Sequence, residues 1–517
     1  MKTNGYSAEQ IIFFVTVLIA GLCSIVYELL ISTTSSYFLG DSIKQFSLTI
    51  GIYMAAMGVG AYLTQFIPDK LPEWFIRIEL LLGVIGGASV PILYFVFDQL
   101  SAEHYQWIML GLTFVIGTLT GCEIPILIRI LKTHYPLKSN LAYVLSLDYV
   151  GALIATLLFP FFLLPFAGTF RTSIIFGLIN ILLGWFIYRY FIGQLSLNKR
   201  HSLEWAAGLS VVFFLLLGGF SGQLLQHWED DFYASRIVHS EQTPYQNLVL
   251  TKNRSDIRLY INRIIQFSSI DEYRYHEALA HVPINAAPYK EQVLILGGGE
   301  GLLAREVLKD PKVKGITVVD LDQRVFDLAK SNPHVLKVNE DALSNPKVRL
   351  VAQDAMTFLT ESQIKYDLIL ADLPDPSNES LARLYSTAFF QLVQQRLSAH
   401  GVFATQATSP FHTRNAFWCI EESLRTSGFE NVYPYHVYVP SFGDWGFVLA
   451  SGLPLTPKRL TNDKPYRYLD STIVEQMFYF EKDIAKPADM RPNYMDRPEL
   501  LSYFLNDWEQ WRKEKKH

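Results

Sequence analysis

Apolar residues follow three different rhythms along this chain. Up to about Leu225 they form long unbroken runs, at roughly 9–31, 46–67, 74–97, 105–130, 141–165, 173–193 and 204–222. Each is near the ~20 residues needed to cross a hydrocarbon core. The pattern predicts a multi-spanning α-helical membrane domain of about seven helices over 1–225. Over 226–288 apolar and polar positions alternate between turn signals, as in "NLVLTKN" and "IRLYINRIIQF". Period two predicts a small antiparallel β domain. From Val293 the strand-like runs "QVLIL", "GITVVD", "VRLVAQD", "YDLILAD" and "GVFATQAT" alternate with helical stretches. That is the signature of a parallel sheet with crossover helices, an α/β domain over 289–455. The remainder, 456–517, is polar and ends in the amphipathic "LLSYFLNDWEQWRKEKKH", read as a helical extension that packs on the globular part.

Charge sharpens the division. Residues 1–225 carry 11 basic and 11 acidic side chains, whereas the other 292 carry 33 and 38. The net charge of −5 therefore belongs to the second part. No basic stripe is present, so nucleic acid is excluded as a partner. Cys23, Cys122 and Cys419 supply neither a disulfide framework nor a metal cluster, and no metal is expected. The first run is weakly basic on its leading flank and lacks a small-x-small site, so it reads as a retained span.

Loop charge bears on orientation. Lys2, Lys70, Arg77, Arg129, Lys132, Lys138, Arg189, Lys199 and Arg200 fall on one face of the seven-span arrangement, against Lys44 and Arg171 on the other. The positive-inside rule then puts the globular part outside. Glu28, Glu123 and Asp148 lie inside apolar runs. Such acids either line a cation or polyamine pathway, or cap and pair with neighbouring helices.

Candidate chemistry gathers at the strand ends of the α/β part. Glu300, Asp320, Asp354 and Asp372 stand at or just beyond four successive strands, and in open α/β sheets the ligand crevice lies outside those carboxyl ends. Gly297, Gly299 and Gly301 form G-x-G-x-G, with Leu302 where the dinucleotide fingerprint has its last glycine. A pyrophosphate on the following helix would be repelled by Glu300. The turn instead fits a nucleoside-like, cationic ligand without phosphates. Asp320, about 20 residues further on, suits ribose hydroxyls, and Asp354 an adenine amino group. Together these describe an adenosyl sulfonium compound.

The stretches "SEQTPYQNLVL", "LYINRIIQF", "DEYRYHEALAH", "LILGGGEGLLAREVLK", "VVDLD", "QDAMTFL", "YDLILADLPDP", "LYSTAFF" and "QATSP" over about 236–452 resemble the spermidine synthase (polyamine aminopropyltransferase) family. With the apolar runs in front, the chain looks most like its membrane-attached bacterial branch. The resemblance implies a Rossmann-like, class I methyltransferase-type sheet preceded by the small β domain. It also implies transfer of an aminopropyl group from decarboxylated S-adenosylmethionine, a co-substrate rather than a prosthetic group, to a polyamine amine such as putrescine, with release of methylthioadenosine. Asp372 then resembles the general base. Asp375 resembles the acid that anchors the acceptor, with Tyr275 positioning the attacking nitrogen. Glu300 would hold the aminopropyl ammonium of the donor, Gln246, Gln266 and His276 would join the donor site, Asp320 would take the ribose and Asp354 the adenine. "YVPSFGDWGFVLA" resembles the acceptor wall, which would put Phe442 and Trp445 along the methylene chain.

Two departures stand out: Glu300 replaces the usual aspartate, and "INR" replaces "LDG", bringing Arg263 towards a site for cations. The implied partners are the acceptor amine, the lipid bilayer and, as an open option, a second copy of the chain. A multi-pass protein of the inner cell membrane is expected. The donor arises in the cytosol, which favours a cytoplasmic catalytic part against the loop charges. Two other readings remain open: an S-adenosylmethionine-dependent methyltransferase, disfavoured by Glu300, and a polyamine transporter or sensor.

Overall fold

A computed structural model of the protein describes residues 8–39, 42–68, 70–100, 102–132, 137–195, 197–233, 235–243, 245–458, 460 and 466–514. The chain divides into two compact units, Met1–Phe232 and Tyr233–His517.

The first unit is helical: α1 (Ala8–Leu39), α2 (Ser42–Leu63), α3 (Leu71–Gln99), α4 (Ala102–Leu131), α5 (Leu137–Leu158), α6 (Leu164–Phe191), α7 (Leu197–Gly219) and the short α8 (Ser221–Tyr233). Helix α8 occupies positions where strand alternation was expected to begin. Among the described residues, six helical segments are long and apolar enough to cross a membrane, against seven runs in the sequence. The difference lies in Ser139–Phe191, one segment of 53 residues. At 1.5 Å per residue it would reach about 80 Å, over twice a hydrocarbon core of about 30 Å. It is interrupted by a π-turn at Phe159–Leu163 and by Gly168, whose φ of +69° is not helical. The two apolar runs thus share one continuous segment broken near its middle. Close approach fixes the packing of α2 on α4, where a Cβ on Gly60 would sit 2.0 Å from the Thr118 carbonyl oxygen.

The second unit opens with four antiparallel strands in sequence order: β1 (Arg236–Gln242), β2 (Asn247–Asn253), β3 (Asp256–Ile261) and β4 (Ile264–Ser268). Asn262 and Arg263 join β3 to β4 with φ of +50° and +68°, the primed two-residue turn that suits a twisted hairpin. Arg263 is therefore a turn residue at the hairpin tip. Helix α9 (Glu272–Ala286) then leads to a seven-stranded sheet of order β10-β11-β9-β8-β5-β6-β7. Its strands are β5 (Gln292–Gly297), β6 (Gly315–Asp320), β7 (Val348–Ala352), β8 (Tyr366–Asp372), β9 (Leu397–Gln406), β10 (Asn431–Val439) and β11 (Gly443–Ser451). Strands β5 to β9 pair in parallel and β10 and β11 antiparallel.

Strand periodicity sends alternate residues to opposite faces. Val293, Ile295, Leu368 and Leu370 enter one core, and Leu294, Leu296, Ile369 and Ala371 the other. Both faces being covered, the strands read as continuous apolar runs. The order reverses at β5, which has β6 on one side and β8 on the other, and a ligand crevice belongs at such a switch point.

Of 456–517, residues 459, 461–465 and 515–517 lie outside the described ones. The rest packs on the second unit. The Glu277 carboxylate of α9 accepts the backbone N–H groups of Arg467, Tyr468 and Leu469 at 2.7, 2.9 and 3.1 Å. The last helix, Glu499–Glu514, sends Asp507 to Asn415.

Candidate active site

The glycine turn after β5 begins where register puts Gly297 beside Asp372. Gly297 has φ +82°, and a Cβ there would lie 2.0 Å from the Asp372 carbonyl oxygen. Only glycine lets the two strand ends close to this distance. The turn continues through Gly299 and Glu300 to Gly301, which precedes α10 (Leu302–Leu308). Gly299 N–H donates to Asp320 Oδ2 at 3.1 Å, and Asp322 N–H to Asp320 Oδ1 at 3.0 Å. The ends of β5, β6 and β8 are thereby tied together, β5 to β8 by strand pairing and β5 to β6 through the Asp320 carboxylate.

Helix α9 supplies the other wall. Tyr275 Oη donates to Asp372 Oδ1 at 2.6 Å. His276 Nε2 lies 3.8 Å from Glu300 Oε1 and 4.0 Å from Asp372 Oδ2. These histidine and carboxylate ligand atoms all fall within 4.8 Å of one another, a donor set suited to a cation. Behind them, His276 Nδ1 is 2.8 Å from both the carbonyl and the carboxylate of Glu272. Both partners are acceptors, so Nδ1 carries the proton. Glu272 in turn receives Arg305 Nη1 and Nη2 of α10 at 3.0 and 2.9 Å.

Electrostatics follow from burial and this short-range pairing. Burial pushes Glu300 up to about 8, with the Asp372 carboxylate beside it adding and His276 opposing. Asp372 is raised for the same first reason, against His276 and the Tyr275 hydrogen bond. Asp320 is raised by burial to about 6 although two backbone N–H groups oppose this. His276 would be lowered by burial, but the Glu272 carboxylate outweighs that and leaves the imidazole raised. Two buried acids thus flank one imidazole, an arrangement that favours added positive charge.

The remaining sequence candidates are distributed around this centre. Asp375, three residues past β8, is raised by burial to about 7, a Gln406 hydrogen bond opposing, and its Oδ1 has no partner. Phe442 and Trp445 bracket the Tyr275 ring with centroids 6.0 and 6.4 Å away and stand 5.2 Å from each other. Gln246 follows the β1–β2 turn, where Thr243 Oγ1 donates to Asp322 Oδ2 at 2.6 Å and so ties the small sheet to the end of β6. Gln266 lies on β4, with Nε2 donating to the Ile264 carbonyl at 3.2 Å. Asp354 differs from the other acids. It caps the helix Ala355–Glu361, with Oδ1 accepting Thr357 N–H at 3.0 Å and Oδ2 accepting Arg383 at 2.5 Å.

Two residues beside the site were not singled out in the sequence. Glu272 could have been read from the i, i+4 spacing to His276. Gln406 ends β9 and donates to the Leu373 carbonyl and the Tyr385 hydroxyl, each at 2.5 Å; its position at the last strand end was the available signal.

Comparison with known proteins gives the family. Residues 272–458 match the family described as Spermine/spermidine synthase domain. The polyamine aminopropyltransferase of Leptospira interrogans is 41% identical over 96% of this chain and 99% of its own length. Polyamine aminopropyltransferase 2 of Ralstonia nicotianae is 39% identical over 95% and 97%, and the polyamine aminopropyltransferase of Oceanobacillus iheyensis 37% over 95% and 96%. Among solved structures, a spermidine synthase in complex with the transition state analogue AdoDATO covers 48% of this chain and 86% of its own, at 25% identity and a TM-score of 0.45. Matching such relatives along nearly their whole length, the chain belongs to the polyamine aminopropyltransferase family and is an aminopropyltransferase.

Proposed function

We propose that this enzyme is membrane-bound and transfers the aminopropyl group of decarboxylated S-adenosylmethionine to putrescine, with Asp372 as general base. The observation that carries the reading is the pairing of a Tyr275-held Asp372 with Glu300 around one recess. In the reaction the acceptor nitrogen's lone pair forms a bond to the aminopropyl carbon attached to the sulfonium. The C–S bond breaks, its electron pair stays on sulfur, and neutral methylthioadenosine leaves. The proton lost by the amine goes to Asp372.

The sulfonium leaving group is already cationic, so the enzyme's task is to align the reactants and to keep a neutral nucleophile. Glu300 takes the donor's aminopropyl ammonium, where the carboxylate of an ordinary methyl donor would be repelled. Asp320 takes the ribose, Asp354 the adenine edge, and Gln246, Gln266 and His276 complete the donor site. Asp375, with an unsatisfied buried oxygen, takes the acceptor's far ammonium, and Phe442 and Trp445 cover its methylene chain. The helical unit is the membrane anchor. In support, large apolar side chains such as Phe161, Phe162, Phe166, Trp205 and Leu215 face outward, as a lipid-facing surface requires.

The test is full-length protein in detergent given decarboxylated S-adenosylmethionine and a panel of amines. Methylthioadenosine should appear fastest with putrescine and fall by about 10²–10⁴-fold in Asp372→Asn. No methylthioadenosine with any amine overturns the reading.

A further inference from the structure

The helical unit holds a second group of acids that aminopropyl transfer does not use. Glu79 on α3 and Glu123 on α4 are 0% and 3% exposed, and their carboxyl groups lie within hydrogen-bond reach of each other. Asp148 of α5 is within electrostatic reach of Glu123. Among the described residues, no Lys, Arg or His is among the groups acting on either glutamate. Burying a carboxylate without a counter-charge costs several kcal/mol, so two such groups facing each other in an apolar bundle call for a positive ligand.

The neighbours identify what is missing. Tyr27 of α1 is 0% exposed, interacts electrostatically with both glutamates, and its hydroxyl has no hydrogen-bond partner. Asn180 of α6 is also 0% exposed, with neither side-chain atom partnered. It lies on the face of α6 that meets α3, between Gly177, which touches Gly83 and Gly87, and Gly184, where an added Cβ would come within 3.1 Å of Glu79 Cβ. Neither oxygen of Glu79 has a donor. The Tyr27 hydroxyl and the Asn180 amide can donate, but the acceptor oxygens of Glu79, Glu123 and Asn180 outnumber those hydrogens, and positive charge is lacking. A shared proton would supply one charge and one hydrogen bond. An alkali ion would supply charge and no donor. A protonated primary amine brings one charge and three N–H donors, matching both deficits.

We propose that Glu79 and Glu123, with Tyr27 and Asn180, form a binding site for a primary ammonium group inside the helical unit. This inference stands on that unit alone and does not depend on the acceptor assigned to the catalytic site.

The full-length protein in detergent is treated with dicyclohexylcarbodiimide, which adds to protonated carboxyls in apolar surroundings, and the modified residue is located by peptide mass spectrometry. Glu79 or Glu123 should be labelled. Methylammonium should slow that labelling by about tenfold at ten times its dissociation constant, whereas tetramethylammonium, equally charged but without N–H groups, should leave the rate unchanged. In Glu79→Gln, any label at Glu123 should lose methylammonium protection. Absence of label at both residues overturns the proposal. So does labelling that no cation slows, which marks a pair holding only a proton, or equal slowing by sodium chloride, which marks an alkali-ion site. The wild-type measurements decide the matter even if the variant misfolds. Methylthioadenosine release, assayed separately, is untouched by any of these outcomes.

Discussion

Removing one oxygen, in Tyr275→Phe, isolates the hydrogen bond that holds the proposed base. The ring is packed against Phe447 at 5.2 Å, Phe442 at 6.0 Å and Trp445 at 6.4 Å, and phenylalanine keeps all three contacts. What disappears is the 2.6 Å donation to Asp372. A hydrogen bond to a charged group contributes about 1.5–3 kcal/mol. That bond favours the carboxylate and opposes the upward push of burial, so its loss makes Asp372 harder to ionise. At 1.36 kcal/mol per tenfold, the acid limb of kcat/KM should move to higher pH by about one to two pH units. Activity below the limb should fall by about 10- to 150-fold, with recovery as pH rises. The assay is methylthioadenosine release by chromatography over a pH series, with donor KM measured at each pH. A tyrosine that only packs would lower activity evenly, if at all. An unmoved acid limb would refute the assignment of Asp372 as a base tuned by Tyr275.

Three further outcomes follow from the same electrostatics. Burial sets Glu300 at about 8 before the donor binds, so arrival of the cationic donor should expel close to one proton at pH 7 and almost none above pH 9. Calorimetry in buffers of different ionisation enthalpy reads this, and identical heats at pH 7 would contradict it. Glu272→Gln removes the bidentate partner of Arg305 and leaves Glu306 as its carboxylate partner, which should cost about 1.5–3 kcal/mol and show as a lower unfolding midpoint; an unchanged midpoint would argue against this pair. The buried Glu306 is opposed by burial but lowered from 4.5 to about 2 by His281, Lys309 and Arg305. Its stabilisation, about 3 kcal/mol in the order-of-magnitude conversion, should be complete above the unfolded value and lost as pH falls towards 2. Denaturant unfolding of wild type and Glu306→Gln should therefore converge in acid, and a gap constant with pH would be inconsistent with it.

Much of the second unit was legible because periodicity and chemistry coincide there. A parallel strand buried on both faces must be apolar and must end where its ligand binds, so "YDLILAD" announces both β8 and Asp372. Asp354 carries a second role at such a strand end. An acid after a strand is also an acid before a helix, and the same side chain accepts Thr357 N–H as a cap. The break in Ser139–Phe191 was legible as well: the apolar runs part between 165 and 173, where Gly168, Thr169, Arg171 and Thr172 interrupt them, and the helix yields at Gly168. Glu79 was missed in "RIELLLGV" because one acid in an apolar run has no visible partner, and Glu123, which faces it, lies on another helix.

The spacing of α9 explains how the two halves of the catalytic recess are held in register. Glu272, Tyr275 and His276 stand at i, i+3 and i+4, neighbours on one helix face. Tyr275 reaches across to β8 through Asp372, and His276 sits between Asp372 and Glu300. Glu272 fastens the same face to Arg305, five residues after Glu300 on the helix that the glycine turn opens. Asp372 at the end of β8, Glu300 in the glycine turn and His276 on α9 are therefore held around one helix that is fastened to α10. Under the proposed mechanism the distance between donor ammonium and attacking nitrogen depends on that fastening. Because a displaced nucleophile forfeits much of the advantage of alignment, Glu272 matters to the chemistry through geometry, although it touches neither substrate.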